Sequence, residues 1–409
     1  METTLSAQHQ SGYLSEAFLD RVRRSYKIAL AAAKTTRHGS IWDNIDRHRA
    51  SVHAALFADG NDELRNIFAD PVASDLFYGI DYFWAGTGIT EVIDARSRAP
   101  NRADRPSPDR ATTAVADSTP GNNFDRWLSD HFSGVARTEL CLLARTLSHY
   151  EGDLASFDHE SVLRGADRLL NQTIQFPTFF QGALGLRTTR GVASFAAIQA
   201  VYQAWRTVSL TATCERKSVI EIGPGMGRAA YYAYCAGLKN YTTVDLPMGV
   251  VAQACFLGAA LGPDKIWMLG DDERLAEGRI KLLVAGNQPN QIYGLAVNVD
   301  SMTEMPLQAA LHYMNWIYKH SRLFLSINHD GNLFTVAEIS TKWFKPAERR
   351  RYPMADRYIE EIYIPRDVPR ATSWHRIAWH ATKTFTRRNY YRALGRIRAN
   401  LSKLRARSN

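Results

Sequence analysis

The sequence has few cysteines and no long apolar run, and both absences exclude classes of protein. Only four of its 409 residues are cysteine, without a C-x-x-C pair: Cys141, Cys214, Cys235 and Cys255. This spacing supports neither a zinc site nor a disulfide framework, so we expect buried free thiols. No stretch approaches the roughly 18 to 20 apolar residues of a membrane-spanning helix. The first fifteen residues lack a secretion signal's basic start and apolar core, so we expect a cytoplasmic protein.

Acidic residues are fewer than basic ones, and most of the basic excess lies at one end of the chain. The formal net charge is +9. Residues 387–407 hold eight Lys or Arg and no acidic residue, which leaves +1 for the rest. We therefore expect no basic face and no nucleic-acid binding. The tail, 386–409, has the spacing of a basic amphipathic helix, which could contact the inner face of a membrane, meet an acidic partner or simply be solvated.

Hydrophobic periodicity predicts a helical first half and an α/β second half. Apolar residues keep helical spacing in four early segments: 15–58, 62–69, 159–171 and 191–210. From residue 218, short apolar runs alternate with helical segments, which is typical of a doubly wound, mostly parallel sheet. We expect a mainly helical N-terminal domain at 1–210, an α/β domain at 211–385 and the tail after it.

One internal segment, residues 95–123, has the composition of a flexible insertion. It contains four prolines, and Val115 is its only large aliphatic residue. Such a stretch buries too little apolar surface to offset the entropy of ordering it. A binding loop that orders on substrate is the alternative.

The periodicity also places the elements of the α/β half. Helices are predicted near 226–237, 248–261 and 306–319. Strands are predicted near 218–222, 241–245, 265–269, 293–299 and 322–327. Two further strands at 334–339 and 358–364, with a charged segment at 345–357 between them, would complete the sheet.

The most informative stretch is 218–228, a short β-branched strand followed by three alternate glycines and the start of a helix. Gly223, Gly225 and Gly227 allow strained dihedrals and close ligand approach, and the helix offers free N–H groups. The dinucleotide fingerprint G-x-G-x-x-G is not matched, because the third glycine falls one place early and Arg228 occupies its position.

The pattern E-x-G-x-G-x-G resembles the first motif of class I S-adenosyl-L-methionine (SAM) dependent methyltransferases. The resemblance implies a Rossmann-like fold and SAM as cofactor. It assigns SAM binding to Glu221 with the three glycines, to Asp245 at the end of the second strand, and to Asp271 after the third. A carboxylate suits the Asp245 position because it can accept hydrogen bonds from both ribose hydroxyls. For Asp271, a helix N-cap is the alternative role.

Two further stretches, 76–81 and 296–306, together with the order of the two halves, resemble bacterial sugar O-methyltransferases from about Ile41 to Asp330. This resemblance implies methyl transfer to a sugar hydroxyl of a glycan, glycolipid or glycosylated metabolite. Two alternatives stay open. One is a methyltransferase for phenolic or polyketide hydroxyls, and the other is an inactive SAM-binding scaffold.

Candidate catalytic residues follow the fourth and fifth predicted strands. His329 or Asp300 could take the proton of an attacking hydroxyl, and Glu304 could position the acceptor. The alternative role for Glu304 is that of a capping-box acid opening the helix predicted at 306–319. Some sugar O-methyltransferases hold a divalent metal through acids that follow these two strands, so the resemblance leaves open that Asp300 and Asp330 hold one such as Mg²⁺. Assembly into a homo-oligomer also stays open.

Overall fold

The computed structural model describes five ranges and four single residues of the chain. They are 12–33, 45–80, 158–179, 185–355, 357–366, Ala136, Leu140, Leu142 and Leu143. The expected insertion at 95–123 and the basic tail lie outside them. No helix in this described part is both long and apolar enough to cross a membrane.

The described chain before residue 214 is mainly helical, as predicted. Its helices are α1 (Glu16–Ala33), α2 (Ala50–Phe57), α3 (Asp62–Ala69), α4 (His159–Leu170) and α5 (Phe195–Thr213). Side-chain caps start two of them: Asp158 accepts a hydrogen bond from the Glu160 amide, and Ser194 from the Ala197 amide. A two-stranded ribbon, β1 (Leu186–Thr188) and β2 (Gly191–Ala193), precedes α5.

The second half forms an eight-stranded sheet in the order β5-β6-β4-β3-β7-β8-β10-β9. Its strands are β3 (Val219–Ile222), β4 (Tyr241–Asp245), β5 (Ile266–Met268), β6 (Ile280–Val284), β7 (Tyr293–Val299), β8 (Ser321–His329), β9 (Phe344–Arg351) and β10 (Tyr358–Pro365). All pairs are parallel except those of β10 with β8 and β9. The connecting helices are α6 (Arg228–Cys235), α7 (Pro247–Leu261), α8 (Leu307–His320) and α9 (Val336–Ser340).

Both faces of the sheet are buried, which explains its continuous apolar strands. Alternate residues of a strand point to opposite faces. Val219 and Val297 therefore join the larger hydrophobic cluster, whereas Ile220 and Ala296 pack with Met314 of α8. The predicted fold class, a Rossmann-like α/β domain with a doubly wound, mostly parallel sheet, is confirmed.

The N-terminal helices pack directly on this sheet's helical layer. A single hydrophobic cluster contains Phe18 of α1, Ile198 of α5 and Val251 of α7. A β-carbon at Gly258 would lie 2.7 Å from Cζ of Phe18, so α1 and α7 are in close contact. The hydrophobic interior thus continues across residue 210, where the domain boundary was predicted.

Buried charges attach α5 to the last strand of the sheet. Glu360 of β10 is completely buried and lies 2.7 Å from both the Arg206 Nε and the Arg350 Nη2 atoms. The Tyr202 hydroxyl donates a hydrogen bond to the same carboxylate. Because two arginines and a tyrosine surround it, Glu360 is a paired charge rather than an isolated one.

Three local predictions need correction. Residues 334–339 form no strand, because Thr335 and Glu338 make a capping box that begins α9. The segment predicted as a charged connection contains β9, an edge strand, and edge strands tolerate charges and proline. The strand β6 was missed, since an apolar run of five residues has no periodicity that distinguishes it.

The thiols also differ from expectation at one position. Cys214, Cys235 and Cys255 are free, and Cys235 is exposed rather than buried. Cys141 lies outside the described residues.

Candidate functional site

A cavity of about 210 Å³ lies at the carboxyl ends of the central strands. Strand order reverses between β3 and β7, because β4 and β6 follow on one side and β8 on the other. Such a switch point opens a crevice in a doubly wound sheet, where ligands of this architecture bind. The cavity wall contains the ends of β3, β4, β6 and β7 and the start of α8.

The glycine loop forms one wall, with all three glycines in the left-handed region. Their φ angles are +67° at Gly223, +59° at Gly225 and +80° at Gly227. A β-carbon at Gly223 would lie 2.2 Å from the Ser301 Oγ atom, which approaches from the end of β7. A side chain at Gly223 is therefore excluded by both backbone strain and space.

Asp245 lines the cavity at the end of β4, as the sequence predicted. Its Oδ1 atom accepts a hydrogen bond from the Leu246 amide at 2.7 Å, and Oδ2 accepts one from Gln253 Nε2 at 2.9 Å. A β-carbon at Gly249 would lie 2.6 Å from the carboxyl carbon, so that glycine makes room for the group. Burial raises the pKa of Asp245 to about 7, although these hydrogen bonds and the charge of Arg49 act to lower it.

Glu221 also lines the cavity, from within β3. The carboxyl is almost fully buried and accepts a hydrogen bond from the Tyr241 hydroxyl at 2.8 Å. Burial raises its pKa to about 7, and the Tyr241 hydrogen bond opposes the shift. The structure thus brings Glu221, the glycine loop and Asp245 together around one cavity.

Asp300 and Glu304 occupy the opposite wall, at the end of β7. Asp300 has φ +51°, an uncommon backbone angle for a residue with a side chain. Its Oδ2 atom accepts a hydrogen bond from the Tyr358 hydroxyl at 2.7 Å. Burial raises its pKa to about 6. For Glu304, burial and then the charge of Asp300 raise the pKa to about 8. At neutral pH the pair can therefore offer one carboxylate and one protonated carboxyl.

Glu304 does not cap the helix that follows it. Helix α8 begins after Pro306, and no side chain caps it. The Glu304 carboxyl faces the cavity instead, and none of the described residues hydrogen-bonds to it.

His329, a predicted catalytic base, is not part of the cavity wall. Its Nδ1 atom accepts a hydrogen bond from the Gly331 amide at 3.0 Å, and its ring packs against that of Tyr358 at 5.2 Å. Because Tyr358 in turn donates a hydrogen bond to Asp300, the ring of His329 is linked to the site through Tyr358. Asp330 lies 3.7 Å from Arg357 and is also outside the wall.

Asp271 is separated from the other predicted cofactor residues. Strand β6 inserts between β4 and β5, which moves the end of β5 one strand farther from the cavity. Ala285, after β6, lines the cavity instead. The Asp271 carboxylate accepts two hydrogen bonds from Arg21 of α1, at 2.7 and 3.1 Å, and one from the Met268 amide. In this structure Asp271 attaches α1 to the sheet.

The helical half supplies wall residues that sequence analysis missed. They are Arg49, Gly79, Ile80 and Gln203, and Tyr313 of α8 adds an aromatic ring. No motif marks these positions, because each reaches the cavity through docking of its element. The stretch 76–81 carried the only available signal, its resemblance to sugar O-methyltransferases.

Within the described residues, no group of three or more His, Cys, Asp or Glu side chains is arranged to hold a metal ion. Asp300 and Asp330, the suggested metal pair, do not share the cavity wall.

Comparison with known proteins found similarity only among solved structures. No protein-family model matches the chain, and no curated protein does. An O-methyltransferase family protein from Burkholderia thailandensis is 10% identical over 61% of this chain and 99% of that one, with a TM-score of 0.30. The CcbJ methyltransferase from Streptomyces caelestis is 12% identical over 40% and 89%, with a TM-score of 0.31.

A third similar structure is described as PigF with SAH. It is 13% identical over 61% of this chain and 100% of that one, with a TM-score of 0.28. At such identities and TM-scores, these likenesses carry no conclusion about the activity or substrate of this chain.

The raised pKa of Glu221 predicts a pH-dependent cost to stability. Its folded-state pKa of about 7 exceeds the ordinary glutamate value, so ionisation destabilises the folded state. This loss of stability is absent when the pH is below the ordinary glutamate pKa, and it is complete when the pH is above about 7. We expect Glu221→Gln to raise the free energy of unfolding by about 2 kcal/mol at pH 8, and progressively less toward pH 4.5.

Urea unfolding at several pH values measures this effect. The control is Glu215→Gln at an exposed position shortly before β3, which should change little at any pH. An equal gain for Glu221→Gln at every pH would show that the carboxylate charge is not responsible.

Proposed function

We propose that this protein is a SAM-dependent O-methyltransferase that methylates a sugar hydroxyl. The main observation that supports this proposal is that one cavity is lined by the glycine loop, Asp245 and the pair of Asp300 and Glu304. SAM supplies a methyl group bound to a positively charged sulfur, which a nucleophilic oxygen can accept. The residues present suit such a ligand in two respects, the space at the glycines and the charge of the carboxyls.

Space for the ligand comes from the main chain of the loop and from Asp245. Gly225 lines the cavity and has no side chain, so a ligand can approach its backbone closely. Asp245 presents its carboxyl at the end of β4, where ribose hydroxyls could donate to it. Those carboxyl groups around the cavity that ionise favour a ligand with positive charge.

The acceptor hydroxyl would bind between Asp300 and Glu304. Tyr358 holds one oxygen of Asp300, and within the described residues the other has no hydrogen-bond donor. As the new O–C bond forms and the S–C bond breaks, Asp300 would accept the hydroxyl proton. Protonated Glu304 would donate a hydrogen bond to a neighbouring oxygen of the acceptor. Alignment of acceptor and methyl group, together with exclusion of water, would supply the remaining acceleration.

Asp300 rather than His329 is therefore our proposed base. Asp300 lies in the cavity wall in a conformation that costs free energy, and such strain is commonly found at functional sites. His329 would act by supporting Tyr358. The pair suits a sugar, because one of two adjacent hydroxyls can donate to the Asp300 carboxylate while the other accepts from protonated Glu304.

Binding of SAM is the first prediction to test. Calorimetric titration should show binding of SAM and none of NAD. Asp245→Asn should weaken SAM binding by about 10-fold or more, because a charge-assisted hydrogen bond is lost. Asp271→Asn is the matched control and should leave the affinity unchanged. If the wild-type protein does not bind SAM, the proposed function is wrong.

An acceptor screen tests the sugar assignment. Methyl transfer from labelled SAM should occur with glycans and glycosylated metabolites and be absent with phenols and polyketides. The screen is run with and without Mg²⁺. Turnover confined to phenolic acceptors would replace the sugar assignment with the phenolic one, and SAM binding without any turnover would favour a scaffold.

The role of Asp300 predicts a particular pH profile. Because the base must be ionised, the wild-type rate should rise as the pH increases through about 6. Asp300→Asn should lower turnover about 100-fold or more while SAM affinity is preserved. Glu304→Gln, which imitates the protonated carboxyl, and His329→Asn, which keeps an acceptor for the Gly331 amide, should both retain most of the turnover. Loss of turnover in His329→Asn but not in Asp300→Asn would reverse our assignment of the base.

A further inference from the structure

Arg49 is the one basic residue in the described wall of the cavity. Four carboxyl groups face the same space, from Glu221, Asp245, Asp300 and Glu304. Sequence analysis assigned roles to these acids but none to Arg49. The position of a single basic residue among acids raises the question of which anionic group it binds.

The Arg49 side chain is only 1% exposed, yet its hydrogen bonds are incomplete. Its Nη2 atom donates to the Tyr78 carbonyl, and Nη1 lies 3.7 Å from the Asp46 carboxylate. The buried Nε atom has no hydrogen-bond partner among the described residues. Burial lowers the pKa of Arg49 to about 10, so the guanidinium stays charged at neutral pH. A buried N–H of a charged group without a partner is costly, and an anionic ligand would remove that cost.

The surroundings of Arg49 place it between the glycine loop and Asp245. The chain it holds at Tyr78 continues to Ile80, which comes within 3.4 Å of the β-carbon position of Gly225. The charge of Arg49 also lowers the pKa of Asp245, although no ion pair joins the two among the described contacts. Arg49 therefore lies near the part of the cavity where the loop and the second strand meet.

We propose that Arg49 binds the carboxylate of the amino-acid part of SAM, an inference that rests on the proposed function. SAM carries two positive groups, a sulfonium and an ammonium, and a single negative group, its carboxylate. The four acids suit the positive groups, and Arg49 is the complement to the negative one. The planar guanidinium can donate two parallel hydrogen bonds to a carboxylate, and its Nε atom has no hydrogen-bond partner among the described residues.

Paired ligands test this assignment. Decarboxylated SAM keeps the sulfonium and the ammonium but lacks the carboxylate. Wild-type protein should bind SAM about 10- to 100-fold more tightly than decarboxylated SAM, since a charge-assisted contact is lost. In Arg49→Met this preference should disappear, through weaker binding of SAM with little change for decarboxylated SAM. Arg49→Lys should recover part of it.

Arg23→Met is the matched control. Arg23 is also buried and donates to the Gly60 carbonyl, and its Nε atom has no partner among the described residues, but it does not line the cavity. Its removal should leave the preference for SAM intact. Thermal melting of each variant shows whether it is folded.

The outcomes separate this inference from the proposed function. Failure of the wild-type protein to bind SAM overturns both. Wild-type binding of SAM with an unchanged preference in Arg49→Met overturns only the role of Arg49. An equal loss of affinity for both ligands in Arg49→Met would show that Arg49 merely supports the fold. If Arg49→Met does not fold, equal wild-type affinity for the two ligands would still refute the assignment.

Discussion

A chain of buried hydrogen bonds joins the carboxyl ends of β3, β7 and β8, and the cavity depends on it. The Asn298 amide donates to the Ile222 carbonyl at 2.9 Å, and the Asn328 amide donates to the Asn298 side-chain oxygen at 2.8 Å. Ser301 donates to the same Ile222 carbonyl at 3.1 Å. Because buried polar groups require partners, these contacts restrict how the three strand ends can be arranged. Gly223 and the turn at Asp300 are thereby brought to one cavity.

Ionisation of the carboxyl groups of the cavity lowers the stability of the folded chain. Burial raises the pKa values of Glu221, Asp245, Asp300 and Glu304, so each charge is disfavoured in the folded chain. In contrast, the buried Glu360 is surrounded by two arginines and a tyrosine. Acids in a cleft with strongly shifted pKa values are typical of functional sites, whereas the Glu360 carboxylate joins structural elements. The same sheet thus contains acids that line a cavity and, on β10, a buried acid that is paired with two arginines.

The helical half takes part in the site as well as in the fold. Its side chains close the cavity above the glycine loop, and its apolar residues belong to the same hydrophobic cluster as the sheet helices. The bidentate contact of Arg21 with Asp271 attaches α1 to the end of β5. Because this packing positions Arg49 and Ile80, a change in the N-terminal helices would be transmitted to the cavity.

The sequence by itself determined the fold class, the glycine loop and the placement of Asp245, because these depend on local signals: strand periodicity, glycines at alternate positions and an acid at a strand end. Only the tertiary structure determined whether three other side chains line the cavity. The insertion of β6 moves Asp271 away, His329 packs on Tyr358, and Arg49 enters the cavity. Strand order and helix docking join residues far apart in the chain, and the spacing of one sequence does not encode those pairings.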